Sequence, residues 1–154
     1  MASSFVYNLM KTGGLSVAPT LFCAWSSTTA SYYVTLLTGS YVPSPAHSMA
    51  SQFSGSEITG GFTAGYNGTI RISLTGRTMA VNTTSNQIEF TASQVSWVSL
   101  TATVAAWCVL QQSGSDALSP LCVYNSLGGF PLTLSGATLV LSFANSGLFA
   151  LTDG

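Results

Sequence analysis

Charge is the first thing missing. Seven of the 154 residues are charged, namely Lys11, Glu57, Arg71, Arg77, Glu89, Asp116 and Asp153. That is 5%, against about 25% in an ordinary globular domain. Three basic residues can neutralise few phosphates, and affinity for nucleic acid comes mainly from those contacts, so nucleic-acid binding is set aside. The formal net charge of −1 gives little repulsion between copies and hints at assembly rather than a free monomer. Long apolar runs are missing as well. Mean hydropathy is +0.45, yet the longest unbroken apolar run, Val104 to Leu110, has seven residues, far short of the roughly 20 of a spanning helix. No membrane partner is expected. Lys11 precedes the apolar stretch Leu15 to Trp25, but Gly13, Gly14 and Pro19 break up the helix that a secretory signal would need.

Cysteine is scarce and unpatterned. Cys23, Cys108 and Cys122 make an odd count without a Cys-x-x-Cys pair, which argues against a zinc knuckle or redox motif. Their apolar neighbours predict buried thiols in a reducing compartment, although sequence alone leaves a Cys108–Cys122 bridge open. Disorder is excluded, because it needs low hydrophobicity and high net charge, whereas 47% of this chain is hydrophobic.

What is abundant is hydroxyl: 24 Ser and 19 Thr. They alternate with β-formers, and the chain reads as β throughout. Tyr32 to Leu37 is apolar on both faces and predicts a central strand. In Ile70 to Leu74, residues Ile70, Ile72 and Leu74 face inward. Thr75-Gly76-Arg77 interrupts as a bulge or turn before Met79 and Val81 resume. Asn82 to Asn86 is a turn, and Ile88 and Phe90 open the next strand with Glu89 outward. Val95 and Trp97 pack one way. Thr101 to Gln111 is expected to be the longest strand and the centre of the fold. Leu121 to Tyr124, Leu139 to Phe143 and Leu148 to Leu151 follow, separated by turns at Ser113 to Asp116, Gly128 to Pro131 and Asn145 to Gly147. About eight short strands predict an all-β, antiparallel β-sandwich or jelly-roll-like domain over residues 21–154. Residues 1–20 precede it as an N-terminal arm or short helix.

Chemistry is hard to find. His47 is the single histidine, in a Pro-rich loop, and no Gly-x-Ser-x-Gly elbow presents a serine to it. It is expected to pack or hydrogen-bond locally. The four acids read as solvated surface groups, no cluster suits a metal, and the Gly60 to Gly68 run lacks the lysine of a phosphate loop. Asn67-Gly68-Thr69 and Asn82-Thr83-Thr84 match glycosylation sequons, a pattern that a Thr-rich chain meets easily. No catalytic residue, metal or cofactor is expected, and the chain does not read as an enzyme. Trp97 and Trp107 read as core. Trp25, beside Ser26 to Thr29, reads as an interface residue.

The order of these segments resembles a group of small bacteriophage virion structural proteins, those that decorate (cement) the head. The similarity runs over most of residues 30 to 151. It lies in the strand Tyr32 to Leu37 followed by Tyr41-Val42-Pro43 to His47, then Glu57-Ile58-Thr59-Gly60 through Tyr66, and Gln94-Val95-Ser96-Trp97. The long strand Thr101 to Leu110 leads to Ser119-Pro120-Leu121 with Tyr124, Gly128 and Gly129, and Ser142-Phe143 to Gly147-Leu148 ends the match. Ala92-Ser93-Gln94 departs from it, standing where such proteins tend to carry Asp. The resemblance implies assembly in place of catalysis. It also implies a partner in the major capsid protein, self-association as a homotrimer or other homo-oligomer, and a place on the outer capsid surface after assembly in the bacterial cytoplasm. Ala2, Phe5, Tyr7 and Leu9 of the arm, with Trp25, are the expected contacts. An alternative reading is a tail or fibre module that binds a receptor or glycan, stacking sugars on Tyr41, Phe62 and Tyr66. A secreted β-sandwich adhesin is a third, and requires an oxidised Cys108–Cys122 pair.

Overall fold

The computed structural model describes residues 3–7, 25, 30–53, 55–62, 71–82, 84, 87–143 and 149–152. These contain ten strands: β1 (Ser4–Val6), β2 (Tyr32–Leu37), β3 (Ile72–Ser73), β4 (Thr78–Asn82), β5 (Gln87–Thr91), β6 (Val95–Val104), β7 (Ala106–Gln111), β8 (Leu121–Asn125), β9 (Leu132–Leu141) and β10 (Phe149–Thr152). Two single 3-10 turns, Ala50–Phe53 and Asp116–Leu118, are the helical elements among them. The fold is all-β and antiparallel. Its sheets are a five-stranded one ordered β1-β8-β7-β2-β3, a three-stranded one ordered β10-β5-β4, and a two-stranded ribbon of β6 and β9.

Both faces of the five-stranded sheet are buried, which is why its strands read as continuous apolar runs and not as alternating ones. On one face Val34 and Leu36 of β2 and Trp107 and Val109 of β7 meet Phe90 of β5, Trp97, Leu100 and Val104 of β6, and Leu139 and Leu141 of β9. All three sheets therefore share this core. On the other face Leu37, Cys108, Leu110, Leu121 and Tyr124 pack beneath Tyr7, Tyr41, Ala50 and Phe53. Tyr41, Ala50 and Phe53 belong to segment 38–57, a lid of loop and 3-10 turn. Thr38 N–H donates to Ser56 O at 2.8 Å and Ile58 N–H to Leu36 O at 3.0 Å, fastening the lid along the end of β2. Ala50 N–H to Ser119 O (2.8 Å) fastens it to the turn before β8. Burial of each large side chain stabilises by about 1.5–3 kcal/mol, so this second core makes the lid part of the fold.

The longest expected strand is in fact two. Residues 95–104 pair with β9 in the ribbon, and at Ala105 the chain crosses over, so that 106–111 pair with β2 and β8. Ala105 N–H still donates to Leu37 O at 2.8 Å, which keeps the crossing hydrogen-bonded. The ribbon is bent by irregular register between Trp97 and Ala102. There Ser99 adopts φ 55° and Gly136 φ 68°, and Gly136 N–H donates to Thr101 Oγ1 at 2.9 Å. Left-handed backbone of this kind re-aims a strand at a bulge.

β2 and β5 run close to where the sequence placed them, whereas β9 begins at Leu132, ahead of the strand expected from Leu139, and β3 is confined to Ile72–Ser73. β4 and β5 pair with Asn82 opposite Gln87; Thr83, Ser85 and Asn86 of the turn expected between them lie outside the described residues. Ile72 and Leu74 point inward; Ile70 lies outside the described residues. The N-terminal segment departs from the expectation of a helix or free arm. Ser4, Phe5 and Val6 pair with Asn125, Tyr124 and Val123 as an edge strand, and Ser3 N–H donates to Ser126 Oγ at 2.7 Å.

Candidate functional site

Three of the seven charged residues meet in one cluster. Arg71 lies just before β3, Glu57 in the lid opposite the end of β2, and Asp116 opens the 3-10 turn before β8. The guanidinium has five N–H groups in a planar fork, and five acceptors meet them. Nε and Nη2 donate to Glu57 Oε1 and Oε2 at 2.8 and 2.7 Å. Nη1 and Nη2 donate to Asp116 Oδ1 and Oδ2 at 2.7 and 2.9 Å, and Nη1 also donates to Gln112 Oε1 at 3.0 Å. Thr35 Oγ1 donates to Glu57 Oε1 at 2.6 Å, and the Arg71 head lies 5.7 Å from the Phe53 ring centroid. These hydrogen bonds, chiefly to Glu57, raise the Arg71 pKa. The same guanidinium holds the Asp116 carboxyl below the usual carboxylate range. The expectation of solvated acids is thereby corrected for Glu57, whereas Asp116 is ion-paired with a side chain that stays 39% exposed. A chain with so few charges folds them together because each would otherwise be desolvated alone.

Arg77 is spent in the same way. Nη1 and Nη2 donate to the carbonyls of Trp25 and Ala30 at 2.8 and 2.9 Å. Its head lies 4.5 Å from the Tyr32 ring centroid and 5.8 Å from that of Trp25, and cations are attracted to such ring faces. Trp25 Nε1 donates to Thr78 O at 3.1 Å. Trp25 is therefore a buried core residue, not the surface contact its Ser/Thr neighbours suggested.

A third constellation threads the second core. The Tyr7 and Tyr41 hydroxyls are 3.0 Å apart, and Tyr41 Oη lies 2.8 Å from His47 Nδ1. Cys108 packs in the same core as Tyr7. Burial raises the pKa of Tyr7 and of Cys108, and that of Tyr41 to about 12. His47 thus hydrogen-bonds locally, as its loop position predicted, and the hydroxyls it meets stay protonated. Cys108 and Cys122 are buried free thiols; Cys23 lies outside the described residues.

Of the expected contact residues, Tyr7 and Tyr41 are core, and Phe62 is half-buried against the main core. Phe5 lies in β1, while Ala2, Leu9 and Tyr66 lie outside the described residues. The surface that sequence reasoning passed over is the β6–β9 ribbon. Its twenty residues include no charge. Outward-pointing Val98, Thr101 and Thr103 of β6 and Thr133, Ser135, Thr138 and Val140 of β9 are exposed. Thr103 and Thr133 share a hydroxyl–hydroxyl bond of 3.0 Å. The signal was there to be read, as two charge-free ten-residue segments made mostly of hydroxyl and aliphatic residues.

Chemically, these arrangements hold and pack. Both described carboxylates near the lid are occupied by one guanidinium, and no group of three His, Cys, Asp or Glu residues is placed to hold a metal among the described residues. No helix among them is long and apolar enough to cross a membrane. Comparison with protein-family models, curated proteins and solved structures finds no match.

Proposed function

We propose that this protein is a structural subunit of a bacteriophage virion. It decorates the outside of the head on a β-sandwich scaffold and ties neighbouring major capsid subunits together. The observation that carries this reading is the internal use of charge. Arg71, Glu57, Asp116 and Arg77, four of the seven charged residues, are spent on contacts within the chain, and much of the described surface is hydroxyl or apolar. Ser, Thr and Val lose little rotamer freedom when covered, unlike Lys or Glu, so such a surface is suited to burial against neighbours. Weak contacts repeated over a closed lattice gain affinity through multivalency. They are also insensitive to salt, because no exposed ion pairs hold them. The resemblance in segment order points the same way. The tail-module alternative gains less, since Tyr41 is core and Phe62 packs against the core.

The test is a copy count in purified particles by quantitative mass spectrometry, before and after a wash in about 1 M salt, where the screening length is roughly 3 Å. Hundreds of copies retained through the wash are expected. Absence from particles, or release by salt alone, overturns the proposal, and a dozen copies or fewer moves the protein to the tail.

A further inference from the structure

Tyr41 stands between two partners with one proton to give. Its Oη lies 3.0 Å from Tyr7 Oη and 2.8 Å from His47 Nδ1. While Nδ1 is bare, both hydrogen bonds form in one direction: Tyr7 donates to Tyr41, and Tyr41 donates to the imidazole. An imidazolium has no bare nitrogen and can only donate. Nδ1–H then takes the Tyr41 oxygen, Tyr41 must turn its proton to Tyr7, and Tyr7 must turn its own elsewhere. Tyr7 is fully buried in a core shared with Leu37, Cys108, Leu110 and Leu121, and a thiol is a weak acceptor. Proton uptake at the half-buried imidazole therefore exchanges a well-matched chain for a poorer one. It also sets a cation at the margin of an apolar core, which is costly.

We propose that His47 is a proton-operated catch on the lid, shut while the imidazole is neutral and loosened when it is charged. Its place in the chain ties catch to lid. His47 N–H donates to Ser44 O at 3.0 Å, closing a turn, and the seam with β8 begins at the next residue. There Ser48 O accepts from Leu121 N–H at 2.9 Å, and Ala50 N–H donates to Ser119 O at 2.8 Å. Tyr124 of β8, its ring 5.9 Å from that of Tyr41, and Cys108 of β7 also face the relay. Phenols and a buried thiol stay neutral in weak acid. The charged groups of the lid region, Glu57, Arg71 and Asp116, are bonded to one another beside Phe53, whose ring meets that of Tyr41 edge-on. His47 is the one histidine in the chain, and histidine is the side chain whose charge ordinarily changes between about pH 5 and 8. Across that window the lid answers to this ring. The device belongs to the fold and does not depend on head binding.

The experiment is hydrogen exchange on the full chain, read residue by residue by NMR at about pH 8 and pH 5 and corrected for the intrinsic pH dependence of exchange. One net hydrogen bond is worth roughly two- to tenfold in an opening equilibrium. Protection of the Ala50 and Leu121 amides should fall about fivefold from the higher pH to the lower, while the β2–β7 ladder keeps its protection. His47→Asn, whose amide oxygen accepts the Tyr41 proton without titrating, should hold lid protection constant within about twofold. Circular dichroism establishes that the variant is folded. Tyr41→Phe, which cuts the imidazole off from Tyr7, replaces it with the same expectation if it is not. A wild-type change below about twofold, an equal loss along the β2–β7 ladder, or the same loss in the folded variant overturns the inference.

Discussion

Replacing Arg71 with Met tests the ion cluster most directly. The side chains of Arg71 and Glu57 are 15% and 12% exposed, while that of Asp116 is 39% exposed. Arg71→Met removes the guanidinium and strands the Glu57 carboxylate, with Thr35 Oγ1 as a remaining donor. Removing one partner of a buried pair costs about 3–5 kcal/mol. With Thr35 and some solvent still available, the low end, about 3 kcal/mol, is expected. For a chain of this length 1 kcal/mol is worth about 2–4 °C, so the melting temperature should fall by roughly 6–12 °C. Glu57→Gln loses charge-assisted bonds and should cost about 1.5–3 kcal/mol. Asp116→Asn removes a half-solvated partner and should cost about 0.5–1 kcal/mol. The double variant Arg71→Met/Glu57→Gln should cost less than the sum by about 1–2 kcal/mol, since Gln leaves no stranded charge. Urea unfolding at neutral pH measures all four. An Arg71→Met cost below about 1 kcal/mol, within the range of an ordinary surface pair, or Asp116→Asn equalling Glu57→Gln, would refute the reasoning.

Further outcomes follow from other parts of the fold. Because the native Asp116 pKa lies below its unfolded value of about 3.9, its contribution is present above that pH and lost as pH falls through the lower native value. The stability gap between wild type and Asp116→Asn should therefore close below about pH 4, as acid titration of the two proteins would show. Tyr7→Phe deletes the buried hydroxyl that meets Tyr41 and should cost about 1–1.5 kcal/mol in urea unfolding. Gly61 has φ 82°, and a Cβ there would strike the Thr101 carbonyl, whose N–H it receives at 2.5 Å. Gly61→Ala should destabilise by more than about 1 kcal/mol, measured by thermal melting. Since Cys108 and Cys122 are buried thiols, native protein should react with a disulfide reagent at no more than one thiol per chain, and all three should react in denaturant.

How much of this was legible depended on the range of the signal. Tyr32 to Leu37 and the apolar run through Leu110 declared strands buried on two faces, and β2 and β7 are such strands. Trp97 and Trp107 were readable as core because strand alternation places them there. The crossover at Ala105 was not, since Val104 to Leu110 is apolar without a breaker and a strand may change sheets with no change of composition. The ion cluster was hidden for a different reason: Arg71 and Asp116 are 45 residues apart, and no local pattern announces a partner at that distance. Trp25 and Tyr41 were misplaced because polar flanks argue for surface, while the Arg77 carbonyl cage and the lid's own core decide otherwise.

The crossing at Ala105 has a mechanical consequence. β6 and β7 are one uninterrupted piece of chain, and β7 is the middle strand of five. A pull applied to the ribbon is handed along the main chain to the strand gripped by neighbours on both sides. To tear it loose in shear, the ladders with β2 and β8 must give way together, where an edge strand would unzip bond by bond. A molecule gripped by its ribbon thus transmits tension into a strand held by neighbours on both sides.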